Sequence, residues 1–122
     1  MSVSDEDIIE ACMPILRNAV VHNSGERCFL TAYQIWILLA GQSGPICERL
    51  RQCYGDAVGE DGGAHVGPAQ RIGQALGRSG DIETRYLDTR KILFQLQEQI
   101  PFRASGRHCG LFRLRRDDNA RI

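Results

Sequence analysis

Residues 68–86, PAQRIGQALGRSGDIETRY, carry the change of period that decides the fold class. Up to Gly77 the apolar residues Ala69, Ile72 and Leu76 recur at helical spacing behind Pro68, which suits the first position of a helix. From Ile82 the pattern alternates: Ile82, Thr84 and Tyr86 are separated by Glu83 and Arg85, in a run rich in β-formers. A helix over 68–77 followed by a strand over about 82–87 is therefore expected, and the chain belongs to the α+β class.

Working outward toward the N-terminus, the sequence reads as helical. Ser4 followed by Asp5, Glu6 and Asp7 is a helix start, since the hydroxyl takes an orphan amide and the carboxylates complement the dipole. Ile8, Cys12, Ile15, Leu16 and Ala19 predict a first helix over about 5–22, with a kink expected at Pro14. The spacing Thr31-Ala32-Tyr33-Gln34 matches a capping box for a helix over about 32–40. That helix is apolar nearly all round and so central, with Gly41 expected to close it in the left-handed conformation. Cys28, Phe29 and Leu30 before it suit a short strand. Gly44-Pro45 opens a helix over about 45–54 with one buried stripe, Ile46, Cys47, Leu50, Cys53 and Tyr54.

Residues 55–67 hold five glycines and three acids, the composition of a flexible internal loop. The loop fails as a phosphate cradle, because no Lys-Ser or Lys-Thr follows and its acids repel phosphate. Toward the C-terminus, 88–101 suits helix and strand alike, with strand or irregular structure favoured at its start. Ser105-Gly106 suits a tight turn, and a final strand is expected over about 108–115, where Phe112 and Leu114 alternate with Arg113 and Arg115. The last residues, 116–122, read as a frayed tail. The whole chain of 122 residues has the length of one domain.

The five cysteines form no Cys-x-x-Cys pair and read as core thiols, so neither a zinc site nor a disulfide framework is expected. His22, His65 and His108 are scattered, no nucleophile has an evident base, and no cofactor fingerprint appears. The expectation is a protein that is not an enzyme and needs no metal or cofactor. No apolar run reaches the roughly 20 residues needed to cross a bilayer, and the acidic N-terminus is unlike a secretory signal, which predicts a cytoplasmic location.

The formal charge of +0 conceals a division. Residues 1–61 contain nine acids and four arginines, net −5, while residues 62–122 contain six acids and eleven basic groups, net +5. Lys91 is the single lysine, so the positive charge is almost entirely guanidinium, which grips phosphate and guanine bidentately. A GC-rich genome would also favour arginine over lysine. On the 68–77 helix, Gln70, Arg71, Gln74 and Arg78 lie at offsets of 0, 1, 4 and 8 opposite the apolar stripe, and carry no acid. Glutamine and arginine are the side chains that read base edges, which makes this helix the candidate for a major groove. An ordinary solvated helix face has the same composition.

The order helix, short strand, capped apolar helix, further helix with a Gln/Arg face and basic β-hairpin resembles the winged-helix family of DNA-binding domains over roughly 5–115. The resemblance implies base contacts by Gln70, Arg71, Gln74 and Arg78 and a wing carrying Arg103 and Arg107. The helix at 45–54 and the long glycine-rich loop depart from that pattern. The first functional expectation is thus a nucleic-acid-binding regulator, with DNA as partner. The second is a non-catalytic protein-interaction or assembly module, homodimeric if the acidic half of one chain meets the basic half of another. The two diverge on one structural point: arginines converging on an open face favour DNA, and arginines paired with Asp5, Glu6, Glu10 or Glu48 favour the interaction module.

Overall fold

The structure is a computed structural model and describes residues 3–21, 25–42, 44–55, 67–88, 94–95, 101–102 and 108–115. Its elements run α1 (Asp5–Asn18), β1 (Leu30–Thr31), α2 (Ala32–Gln42), α3 (Pro45–Tyr54), α4 (Pro68–Gly77), β2 (Ile82–Asp88), β3 (Phe94–Gln95), β4 (Pro101–Phe102) and β5 (His108–Leu114). This is the α+β class read from the period change. The expected turn at 105–106, the tail at 116–122, Arg103, Arg107, His22 and His65 lie outside the described residues, as does the 55–67 loop between Gly55 and Gly67.

Local chemistry sets most helix ends. Ser4 caps α1 by accepting from the Asp7 amide at 3.2 Å, and Thr31 caps α2 by accepting from the Gln34 amide at 3.0 Å. Pro45 and Pro68 sit at the first positions of α3 and α4, which match their expected bounds. Two helix-end expectations fail, and the short strand expected over Cys28, Phe29 and Leu30 forms instead at Leu30–Thr31. The first helix stops at Asn18 instead of 22, because Val20 pairs with Arg27 in a β-bridge and the Arg27 guanidinium takes the carbonyls of Leu16 and Arg17. That stop depends on a residue ten positions away. Gly41 does not close α2: the helix runs on to Gln42, and the positive-φ glycines are Gly25 and Gly55. Packing of Ile35, Trp36 and Leu39 holds the helix beyond the point where glycine propensity alone would end it.

The three-stranded antiparallel sheet has the order β1-β5-β2, so the last strand is central. Ile82 faces Leu114, Thr84 faces Phe112 and Tyr86 faces Gly110 across the β2–β5 ladder. β3 and β4 form a separate two-stranded pair, which resolves part of the ambiguous 88–101 segment as strand. One apolar core joins the layers: Ile8, Cys12 and Leu16 of α1, Ile35 and Trp36 of α2, Cys47 and Leu50 of α3, Ile72 and Leu76 of α4, and Ile82, Phe112 and Leu114 of the sheet. Cys12, Cys47 and Cys109 are buried as expected of core thiols, whereas Cys28 and Cys53 are only partly covered.

Phe112 is the joint between α4 and the sheet. A Cβ on Gly73 of α4 would stand 3.7 Å from its ring, and a Cβ on Gly110 of its own strand only 2.5 Å. The missing side chain at Gly110 thus makes the slot for the aromatic ring. The contact at Gly73 is ordinary van der Waals distance in a helix interior. Gly73→Ala is therefore expected to stabilise the protein by about 0.5–1 kcal/mol, from helix propensity alone. Urea denaturation checks it, and a loss of stability would mean that α4 cannot yield even a methyl group toward Phe112.

Candidate functional site

α4 is the element on which the sequence concentrated its polar candidates, and the structure divides them between its two flanks. At about 100° per residue, Gln70, Gln74, Arg78 and Arg71 fall near 0°, 40°, 80° and 100° on the helix circumference. The glutamines occupy one margin of this wedge and the arginines the other. The wedge borders α1 on its arginine margin and a groove against the sheet on its glutamine margin.

On the arginine flank, both guanidiniums reach the first turn of α1. Arg71 Nη2 lies 2.8 Å from Asp5 Oδ1 and Arg78 Nη1 lies 3.0 Å from Asp5 Oδ2. Arg71 also donates from Nη2 to the Val3 carbonyl at 2.6 Å and from Nε to the Tyr54 hydroxyl at 3.2 Å. Its side chain is 12% exposed against 64% for Arg78, so Arg71 is the inner member of the cluster. Its Nη1 is buried and has no hydrogen-bond partner. Hydrogen bonds from Arg71, then Arg78, hold the Asp5 carboxyl below its usual value, against the opposing effect of its partial burial. Burial works against the Arg71 charge, yet the bonds to Asp5 and Tyr54 outweigh it and raise its pKa.

On the glutamine flank, Gln70 reaches back to its own helix start, its Oε1 accepting from the Gly67 amide at 3.2 Å. Gln70 and Gln74 remain exposed and form one wall of a groove of about 250 Å³. Gly73 and Gly77 open that wall, Gly110 and Phe112 lie at the base, and Thr84 and Tyr86 of β2 stand opposite. Tyr86 is 69% exposed, the most open of the large apolar side chains among the described residues. Cys109 also lines the groove. Burial pushes its thiol up to about 11, and an Ala32 amide bond only partly offsets this, so the thiol is protonated at neutral pH.

Most other described arginines are likewise engaged within the chain. Arg49 pairs with Asp7 at 3.3 Å and Arg51 with Glu48 at 3.0 Å. Arg113 and Arg85 both meet Glu83 at 2.8 Å, and Arg113 stacks over Phe29 at 4.4 Å. Its bond to Arg113, chiefly, lowers the Glu83 pKa. Arg115 donates to the Gly80 carbonyl. The charge division between the halves is therefore partly cancelled inside one molecule, with Asp5 of the acidic half taking Arg71 and Arg78 of the basic half.

Sequence reasoning named Asp5 among four acids that could pair with these arginines without singling it out, and missed Gly73 and Gly110 as residues lining the groove. An isolated glycine inside an otherwise regular helix or strand marks a close approach, and that signal was available. The Asp5 contact had no such local mark. Among the described residues, no group of three or more His, Cys, Asp or Glu side chains is placed to hold a metal ion, and no helix is long and apolar enough to cross a membrane. Comparison with protein-family models, curated proteins and solved structures returned no match to this chain.

Proposed function

We propose that the chain is a non-catalytic protein-interaction module whose recognition surface is the groove between α4 and the β2–β5 ladder. The observation that carries this reading is the commitment of Arg71 and Arg78 to Asp5, which leaves a neutral, largely apolar groove as the open flank of α4. At about 250 Å³ the groove is smaller than the roughly 300–1,000 Å³ of sites for cofactors and drug-sized ligands. It suits one apolar side chain of a protein partner. Gln74 and Tyr86 at the rim supply hydrogen bonds and aromatic contact area, as interface anchors do. A homodimer driven by opposed charges loses part of its motive, since those charges already meet within the chain.

A second reading, contact with DNA through α4, is favoured by the element order and by the sheet order β1-β5-β2 with Gln70 and Gln74 exposed beside β2. It keeps the winged-helix resemblance but relies on side chains other than Arg71 for phosphate contacts.

One experiment separates the two. Capture with the tagged chain is expected to yield a partner that Gln74→Ala/Tyr86→Ala no longer holds, with circular dichroism unchanged. Titration with mixed duplex DNA is expected to show no salt-sensitive affinity. A partner retained equally by the double variant, or DNA affinity with a clear salt slope, overturns the interaction reading.

A further inference from the structure

The arginine flank of α4 has the composition of an oxyanion clamp that already contains an anion. Arg71 and Arg78 lie two turns apart on one helix and converge on the two oxygens of a single carboxylate, Asp5. Asp5 opens α1, so the positive end of that helix dipole adds to the field of both guanidiniums. The clamp also has more donors than this anion can use. Each guanidinium brings five N–H groups, and Arg71 Nη1 stays buried and unpartnered despite the carboxylate, the Val3 carbonyl and the Tyr54 hydroxyl around it. A buried donor without a partner is costly. A phosphate group offers more acceptor oxygens in a geometry that guanidinium forks match.

We propose that Asp5 is an internal substitute for phosphate, an autoinhibitory contact that keeps the Arg71–Arg78 clamp of α4 from engaging the phosphodiester backbone of nucleic acid. The tethered carboxylate occupies the clamp at high effective concentration, so the closed form presents no free cation pair on this flank. Neutralising position 5 opens it. Arg78, already 64% exposed, is the outer jaw that an incoming phosphate meets first, and Arg71 is the inner one. This goes beyond the proposed interaction surface, which lies on the other flank of α4, so the failure of either leaves the other standing.

The test compares the wild-type chain with Asp5→Asn in titrations of duplex DNA across a salt series. Asp5→Asn is expected to bind at least about 10-fold more tightly at low salt. Its log–log salt slope is expected to be steeper by about 0.9, the value for one added phosphate contact. Adding Arg71→Met and Arg78→Met to Asp5→Asn is expected to abolish the gain, while Asp5→Glu keeps the clamp closed. Asp5→Ser, which leaves a hydroxyl acceptor, serves if Asp5→Asn does not fold, with Trp36 fluorescence as the check on folding. Equal DNA affinity and slope in wild type and a folded position-5 variant overturn the proposal. So does a variant whose melting temperature rises with inorganic phosphate over chloride at matched ionic strength while DNA affinity is unchanged, because the clamp would then serve a free anion.

Discussion

Gly110→Ala is expected to destabilise the protein by about 1–3 kcal/mol, the range that overpacking a core costs. The added Cβ would stand 2.5 Å from Phe112 Cζ and 2.8 Å from Cε2, distances that real Cβ atoms do not occupy. Something must move, and neither choice is cheap. The ring is 3% exposed, so a retreat from Gly110 must close the methyl-sized gap beside Gly73 of α4 and disturb the ring's other core contacts. If it instead rotates out of its slot, the core loses the packing of a buried phenylalanine, a loss that reaches about 3–5 kcal/mol for full truncation. Urea denaturation followed by fluorescence of the buried Trp36 measures the effect. A change below about 0.5 kcal/mol would show that the ring does not lie over the glycine. A double-mutant cycle sharpens the attribution: in a Phe112→Ala background, Gly110→Ala should cost almost nothing, because the clash partner is gone. Gly110 and Phe112 also form the base of the groove, so the same substitution is expected to weaken partner capture out of proportion to any loss of folded protein.

The opposite signs expected at Gly73 and Gly110 show which parts of this fold could be read along the chain. α4 and β2 were legible because their determinants are local: Pro68 at the helix start, the Ala69, Ile72 and Leu76 stripe, and the alternation from Ile82 to Tyr86. Thr31 capping α2 was legible for the same reason. What escaped depends on contacts between distant residues. α1 ends where Arg27 folds back on its carbonyls, and α2 passes Gly41 because Trp36 and Leu39 are held by the core. The candidate site divided along the same line. A helical wheel gathers Gln70, Arg71, Gln74 and Arg78 onto one face, but the identity of the neighbour on each side of that face is set by the fold. One margin meets the acidic turn of α1 and the other a groove against the sheet.

Arg71 is the side chain for which this distinction has the largest energetic consequence. Arg71→Ala removes the inner bond to Asp5, the bonds to the Val3 carbonyl and the Tyr54 hydroxyl, and the buried stem of a side chain only 12% exposed. Hydrogen bonds to charged groups contribute about 1.5–3 kcal/mol, so a loss near 2–3 kcal/mol is expected at neutral pH. Arg78→Ala, with its side chain 64% exposed, should cost no more than about 1 kcal/mol, as exposed ion pairs do. The pH dependence identifies the partner. The Arg71 and Arg78 guanidiniums hold the Asp5 carboxyl below its ordinary value of 3.8 in the folded protein. The unfolded chain therefore binds the proton more readily than the native one at acid pH. The stabilisation is fully present above the unfolded value and is lost as pH falls through the lower folded value. In Arg71→Ala the Asp5 carboxyl returns toward 3.8, and that part of the acid sensitivity goes with it. The stability gap between wild type and Arg71→Ala, measured by urea denaturation at pH 7, 5 and 3, should accordingly be constant from 7 to 5 and narrow toward 3. A gap that stays the same at pH 3 would mean that Arg71 stabilises α4 through Val3, Tyr54 and its buried stem alone. The ion pair with Asp5 would then have no share in docking α1 against α4.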